Sequence, residues 1–158
     1  MYQVGEKMLK RWLYNSEIYY KLLLVYWVIS SLAIGIYQYS RMVSSRLSLQ
    51  AFLQTDPRAV VTMIFLMVTV LNALLLYKVE DKETVNHKCL LLGMIVQQSC
   101  MRNVLGVALI AAYIWTKYRN FRVNLKTVSK STLMITVLII LFSLFLLFLQ
   151  LRMTQYGA

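Results

Sequence analysis

Residues 132–151 read TLMITVLIILFSLFLLFLQL, and this stretch decides the fold. It carries no charge, and only Thr136, Ser143 and Gln150, spaced by sevens, interrupt it. A run of about 20 apolar residues rising about 1.5 Å each matches a hydrocarbon core roughly 30 Å thick. A helix buried in a soluble protein keeps a polar stripe facing water; this one has a single narrow polar face. Only helices and closed barrels satisfy their backbone polar groups in lipid. The run lacks the two-residue alternation of a barrel strand, so it reads as a membrane-spanning helix.

Three further runs lie upstream: Leu22–Tyr37, Ala59–Tyr77 and Cys89–Thr116. Apolar residues make up 59% of the 158-residue chain, against about 45–50% in soluble domains. Mean hydropathy is +0.61. The single proline, Pro57, stands just before the second run, where it opens a helix without losing a backbone hydrogen bond. The expected fold is therefore all-α, one polytopic membrane domain over 1–158. Four transmembrane helices, at about 20–39, 58–77, 93–117 and 131–151, would form a bundle. Residues 1–14 predict a short amphipathic helix at the interface. Val4, Met8, Leu9, Trp12 and Leu13 share one half of its wheel, and Glu6, Lys7, Lys10, Arg11 and Tyr14 the other. The first run has a basic region ahead of it and a small-x-small site at Ala33-Ile34-Gly35, as in a signal peptide. Tyr26 and Trp27 inside the run favour an uncleaved anchor.

The formal net charge is +11. Its bearers flank the apolar runs, so anionic lipid headgroups are the expected partners and nucleic acid is not. The strongest block is Lys117, Arg119, Arg122, Lys126 and Lys130, with no acid among them. Orientation is less direct. With four crossings, Lys7, Lys10, Arg11, Lys21, Lys78, Lys82, Lys88 and Arg152 on one side balance Arg41, Arg46, Arg58 and the five-residue block on the other, so the positive-inside rule returns a tie. The tie breaks if Cys89–Thr116 enters and leaves by one side, bending at its polar middle, Gln97-Gln98-Ser99-Cys100-Met101-Arg102-Asn103. The arms are short for two crossings, and the bend's backbone would need protein or water around it. Four crossings are the expectation.

Arg102 is the most informative residue. An arginine near a helix centre costs about 2.5–3.5 kcal/mol on insertion scales, so it faces protein or water. On a continuous helix Gln98, Ser99, Arg102, Asn103 and Gly106 make one polar stripe, predicted to contact a partner or line a pathway. All six acids lie outside the apolar runs, which disfavours an ion or proton relay. Ser31 and Gly35, Ala108 and Ala112, and Thr69 and Asn72 are predicted helix-packing positions. His87 and Cys89 sit too near in sequence, with no assured orienting acid, to argue for a cysteine nucleophile. One histidine and two cysteines make a poor metal set, and no phosphate-binding glycine loop or serine nucleophile elbow is present. No enzymatic activity, cofactor or metal is expected. The expected function is an accessory or regulatory protein bound to another integral membrane protein, in a bacterial cytoplasmic membrane. The alternative is a homo-oligomeric pore or small-solute transporter lined by the polar stripe.

Overall fold

The computed structural model describes residues 15–79, 84–118 and 121–155. The amphipathic helix predicted over 1–14 lies outside them. Six α-helices make up the described chain: α1 (Ser16–Ser44), α2 (Leu49–Thr55), α3 (Pro57–Val79), α4 (Thr84–Cys100), α5 (Val104–Lys117) and α6 (Lys130–Gln155). A single 3-10 turn at Leu125–Thr127 precedes α6, and no strand occurs among the described residues. Among them, α1, α3 and α6 are long and apolar enough to cross a bilayer. These cover the runs predicted at 20–39, 58–77 and 131–151.

The chain marks its helix boundaries locally. Asn15 opens α1, its side chain accepting the Glu17 N–H at 3.0 Å. Ser48 opens α2 in the same way, accepting from Ala51 at 3.3 Å. Pro57 is the first residue of α3, and Asp56 ahead of it accepts the Ala59 N–H at 3.1 Å. The second oxygen of Asp56 lies 2.8 Å from Arg41 at the end of α1. That pair is partly exposed, and such pairs contribute less than about 1 kcal/mol; it fixes where α1 meets α3 more than it stabilises.

The run predicted as one span over 93–117 is two helices. α4 stops at Cys100, α5 starts at Val104, and Met101, Arg102 and Asn103 form the turn between them. The cause is readable in the backbone. Arg102 adopts φ 56°, and two hydrogen bonds close the end of α4: Asn103 N–H to the Gln98 carbonyl at 2.9 Å, and Arg102 N–H to the Ser99 carbonyl at 3.0 Å. This is the Schellman termination, in which a left-handed residue satisfies the last helix carbonyls. Asn103 then caps α5, its side chain accepting the Gly106 N–H at 3.1 Å.

The two arms fold back on each other. His87, in the first turn of α4, packs edge-on against Tyr113 near the end of α5, with ring centroids 5.7 Å apart. Its Nδ1 lies 2.6 Å from the hydroxyl of Tyr118, just past α5. Asn86 accepts the Ser129 N–H at 2.9 Å. Residues 86–88, 117–118 and the segment leading to Ser129 therefore lie at one end of the hairpin, with the turn at its other end.

Around this hairpin, α1 and α3 run antiparallel. Tyr20, Leu23 and Trp27 of α1 share a buried core with Ala73 and Leu76 of α3, Leu90, Leu91 and Met94 of α4, and Ile110 and Tyr113 of α5. A second core joins Val61 and Phe65 of α3 to Cys100 and to Leu146 of α6. α4 packs on α6 at Gly93. A Cβ there would stand 3.0 Å from the Thr136 methyl group, so a larger residue would push that side chain back by a few tenths of an ångström.

Candidate functional site

The turn of the hairpin carries a network of buried polar side chains. Gln97 is its hub, with no exposed surface. Its amide nitrogen donates to Thr69 Oγ1 at 3.1 Å and lies 3.0 Å from the Met101 sulfur. Its Oε1 accepts from Asn72 at 3.3 Å and from Gln98 at 2.6 Å. Asn103 donates to Gln98 Oε1 at 2.6 Å and accepts from the Tyr26 hydroxyl. The chain of bonds thus runs from α3 through both ends of the turn to α1. In a low-dielectric interior each such group needs its partner.

The network sits about halfway along α3. Thr69 is ten residues from the end of α3 at Val79, or about 15 Å along the helix axis. Gln98, Asn103 and Gly106 of the predicted stripe are brought together here. Gly106 is buried where a Cβ would strike the Gln98 and Asn103 side-chain amides, so the third residue of α5 is small because the network occupies its space. Ser99 and Arg102 are exposed. Arg102 has no carboxylate within ion-pair distance among the described residues.

The packing positions divide. Thr69 and Asn72 do face the hairpin and belong to the network. Ser31 is buried and Gly35 half-buried, with nothing near the position of its missing Cβ. Ala108 is exposed and Ala112 half-buried; α5 packs instead through Gly106, Ile110 and Tyr113. From the sequence, Gln97 stands only within the polar middle of its run and Tyr26 only as a mark of an uncleaved anchor, and Gly93 is not a predicted site residue. A tyrosine inside an apolar run is a signal for Tyr26, since a buried hydroxyl requires a hydrogen-bond partner. Gly93 has no comparable signal.

At the far end, Lys88 stands 4.7 Å from the Tyr118 ring centroid, and Lys117 donates to the Tyr113 hydroxyl at 2.8 Å. Arg122, Lys126 and Lys130 are exposed there; Arg119 lies outside the described residues. His87 and Cys89 take separate partners, Tyr118 for the imidazole and Thr136 for the thiol at 3.6 Å.

Comparison of the chain with protein-family models, curated proteins and solved structures returns no match.

Proposed function

We propose that this chain is a small, non-enzymatic membrane protein that binds another integral membrane protein, acting as its accessory or regulatory subunit. In this reading α1, α3 and α6 cross the bilayer. The α4–α5 hairpin enters and leaves by one side, and its turn presents Arg102 at mid-depth to an acidic group on the partner. The segments 78–88 and 117–130 then share one side with the basic N-terminal residues, which the positive-inside rule assigns to the cytoplasm.

Arg102 carries the proposal. A left-handed C-terminal turn residue is ordinarily glycine, and a side chain there costs roughly 1–2 kcal/mol. An arginine at this position is both conformationally and electrostatically expensive in a bilayer. Strain of this kind marks positions where the side chain has a task. The pathway alternative draws less support, because Gln98 and Asn103 are bonded to each other and to neighbouring helices.

Arg102→Gly separates the two roles. The turn is expected to keep or gain stability, by up to about 1–2 kcal/mol, while co-purification of the partner from native nanodiscs falls about tenfold or more. Thermal unfolding and quantitative pull-down of the same preparation read both quantities. Undiminished partner recovery with Arg102→Gly removes the assigned role. The absence of any stoichiometric partner from the wild-type preparation removes the accessory reading itself.

A further inference from the structure

The connection between α5 and α6, residues 121–130, is tied down along its length although its only regular element is the 3-10 turn Leu125–Thr127. At its start, Phe121 packs on the Tyr118 ring, with centroids 6.0 Å apart, and the Tyr118 hydroxyl lies 2.6 Å from His87 Nδ1. In the middle, the Asn124 side chain accepts the Lys126 N–H at 3.1 Å, and Val128 is buried. At its end, the Ser129 N–H donates to the Asn86 side chain at 2.9 Å. The Ser129 hydroxyl then accepts the Thr132 N–H at 3.3 Å, opening α6.

This arrangement turns cations and one large apolar side chain outward together. Arg122, Lys126 and Lys130 are exposed, and none has a carboxylate within ion-pair distance among the described residues. The sequence from 84 to 130 contains no acid at all. Among these cations, on the 3-10 turn itself, Leu125 is 61% exposed. Trp115, on the last turn of α5 leading into the connection, is 80% exposed.

The combination chooses the occupant. The cations call for an anion, and phosphate is the chemistry that free inorganic phosphate and a phospholipid headgroup share. Free phosphate would satisfy the cations and leave Leu125 in water. At a bilayer surface the leucine enters the boundary between headgroups and acyl chains while the cations stay with the phosphates. An exposed tryptophan beside them is the ring that settles at that boundary.

We propose that residues 121–130 form a docking surface for anionic phospholipid headgroups, in which Arg122, Lys126 and Lys130 contact phosphate and Leu125 inserts between headgroups. This narrows the general attraction of a basic chain for anionic lipid to one connection held in place by Asn86 and His87. It needs no protein partner, so its failure leaves the Arg102 reading untouched.

The test places the full chain in phosphatidylcholine nanodiscs containing a minority of phosphatidylglycerol and counts the lipids retained on the protein by native mass spectrometry. The wild type is expected to retain phosphatidylglycerol well above its share of the nanodisc. The double substitution Arg122→Gln and Lys126→Gln should cut that enrichment about tenfold. The matched pair Arg46→Gln and Arg58→Gln, which removes the same charge elsewhere, should leave it nearly unchanged. Leu125→Asn keeps every charge and should cut the enrichment a few-fold. Equal losses from the two charge pairs would mean attraction by net charge alone and overturn the proposal. So would the absence of enrichment in the wild type, or full enrichment with Leu125→Asn. Displacement of the retained lipid by inorganic phosphate, with phosphate itself bound, would assign the cations to the free ion instead and overturn it as well.

Discussion

Gln97→Leu is expected to destabilise the protein by about 2–3 kcal/mol, among the largest effects of any single substitution. Leucine approximates the volume of glutamine, so packing changes little and the loss is one of hydrogen bonds. The Asn72 amide, whose oxygen already lacks a partner, loses the acceptor for its nitrogen. Gln98 loses the acceptor for its own nitrogen, and Thr69 loses a donor. Individual interhelical hydrogen bonds in membranes average only about 0.6 kcal/mol, because the unfolded state in lipid also finds partners. Here, however, two buried amides are stranded together, and unsatisfied groups cost about 1–3 kcal/mol each. Unfolding in mixed micelles measures the change. A difference below about 0.5 kcal/mol would place Gln97 with ordinary surface substitutions and contradict the network. Adding Asn72→Leu to Gln97→Leu should recover part of the loss, since removing both partners is cheaper than removing one.

Gly106→Val tests the same region by steric means. A side chain there meets the amides of Gln98 and Asn103, which are held by their own hydrogen bonds and cannot swing away without breaking them. Overpacking of this sort costs about 1–3 kcal/mol, and valine belongs at the top of that range. Gly106→Ala should cost less, because alanine's better helix propensity returns about 1 kcal/mol. The signature that separates this from general core damage is local: Gly106→Val should expose the α4–α5 turn to hydrogen exchange while the α4–α6 seam at Gly93 stays protected. Uniform loss of protection would contradict a network confined to the turn.

The three helices long and apolar enough to span a bilayer were legible because each is a long apolar run whose boundaries need no tertiary information. Pro57 and its position at the start of α3 belong to the same class. The run Cys89–Thr116 was legible in composition but not in shape. Val104–Lys117 is apolar enough to look like the second half of a crossing, and nothing in a residue count distinguishes a continuous helix from two arms. The polar stretch Gln97–Asn103 marked the place of the bend, and the imbalance of basic residues favoured it. The short arms argued for a crossing instead, a penalty that vanishes when a hairpin stops at mid-depth. The turn itself was hidden because its left-handed residue is Arg102, where glycine is the usual sign. Gln98, Asn103 and Gly106 do cluster, but they do so by wrapping a turn rather than by lining one face of a helix. Gln97 and Tyr26 complete that cluster through contacts between distant segments, which spacing along the chain does not reveal.

The central claim is that the α4–α5 hairpin returns to the side it came from. Single cysteines at Lys78, Lys126 and Arg46, each exposed, in a chain with Cys89 and Cys100 changed to alanine, test it with a membrane-impermeant maleimide applied to each face of sealed vesicles. The account predicts that Lys78→Cys and Lys126→Cys react from the same face and Arg46→Cys only from the opposite one. Labelling of Lys78→Cys and Lys126→Cys from opposite faces would mean that residues 84–117 cross the bilayer, and would contradict the hairpin and the mid-depth placement of Arg102 with it.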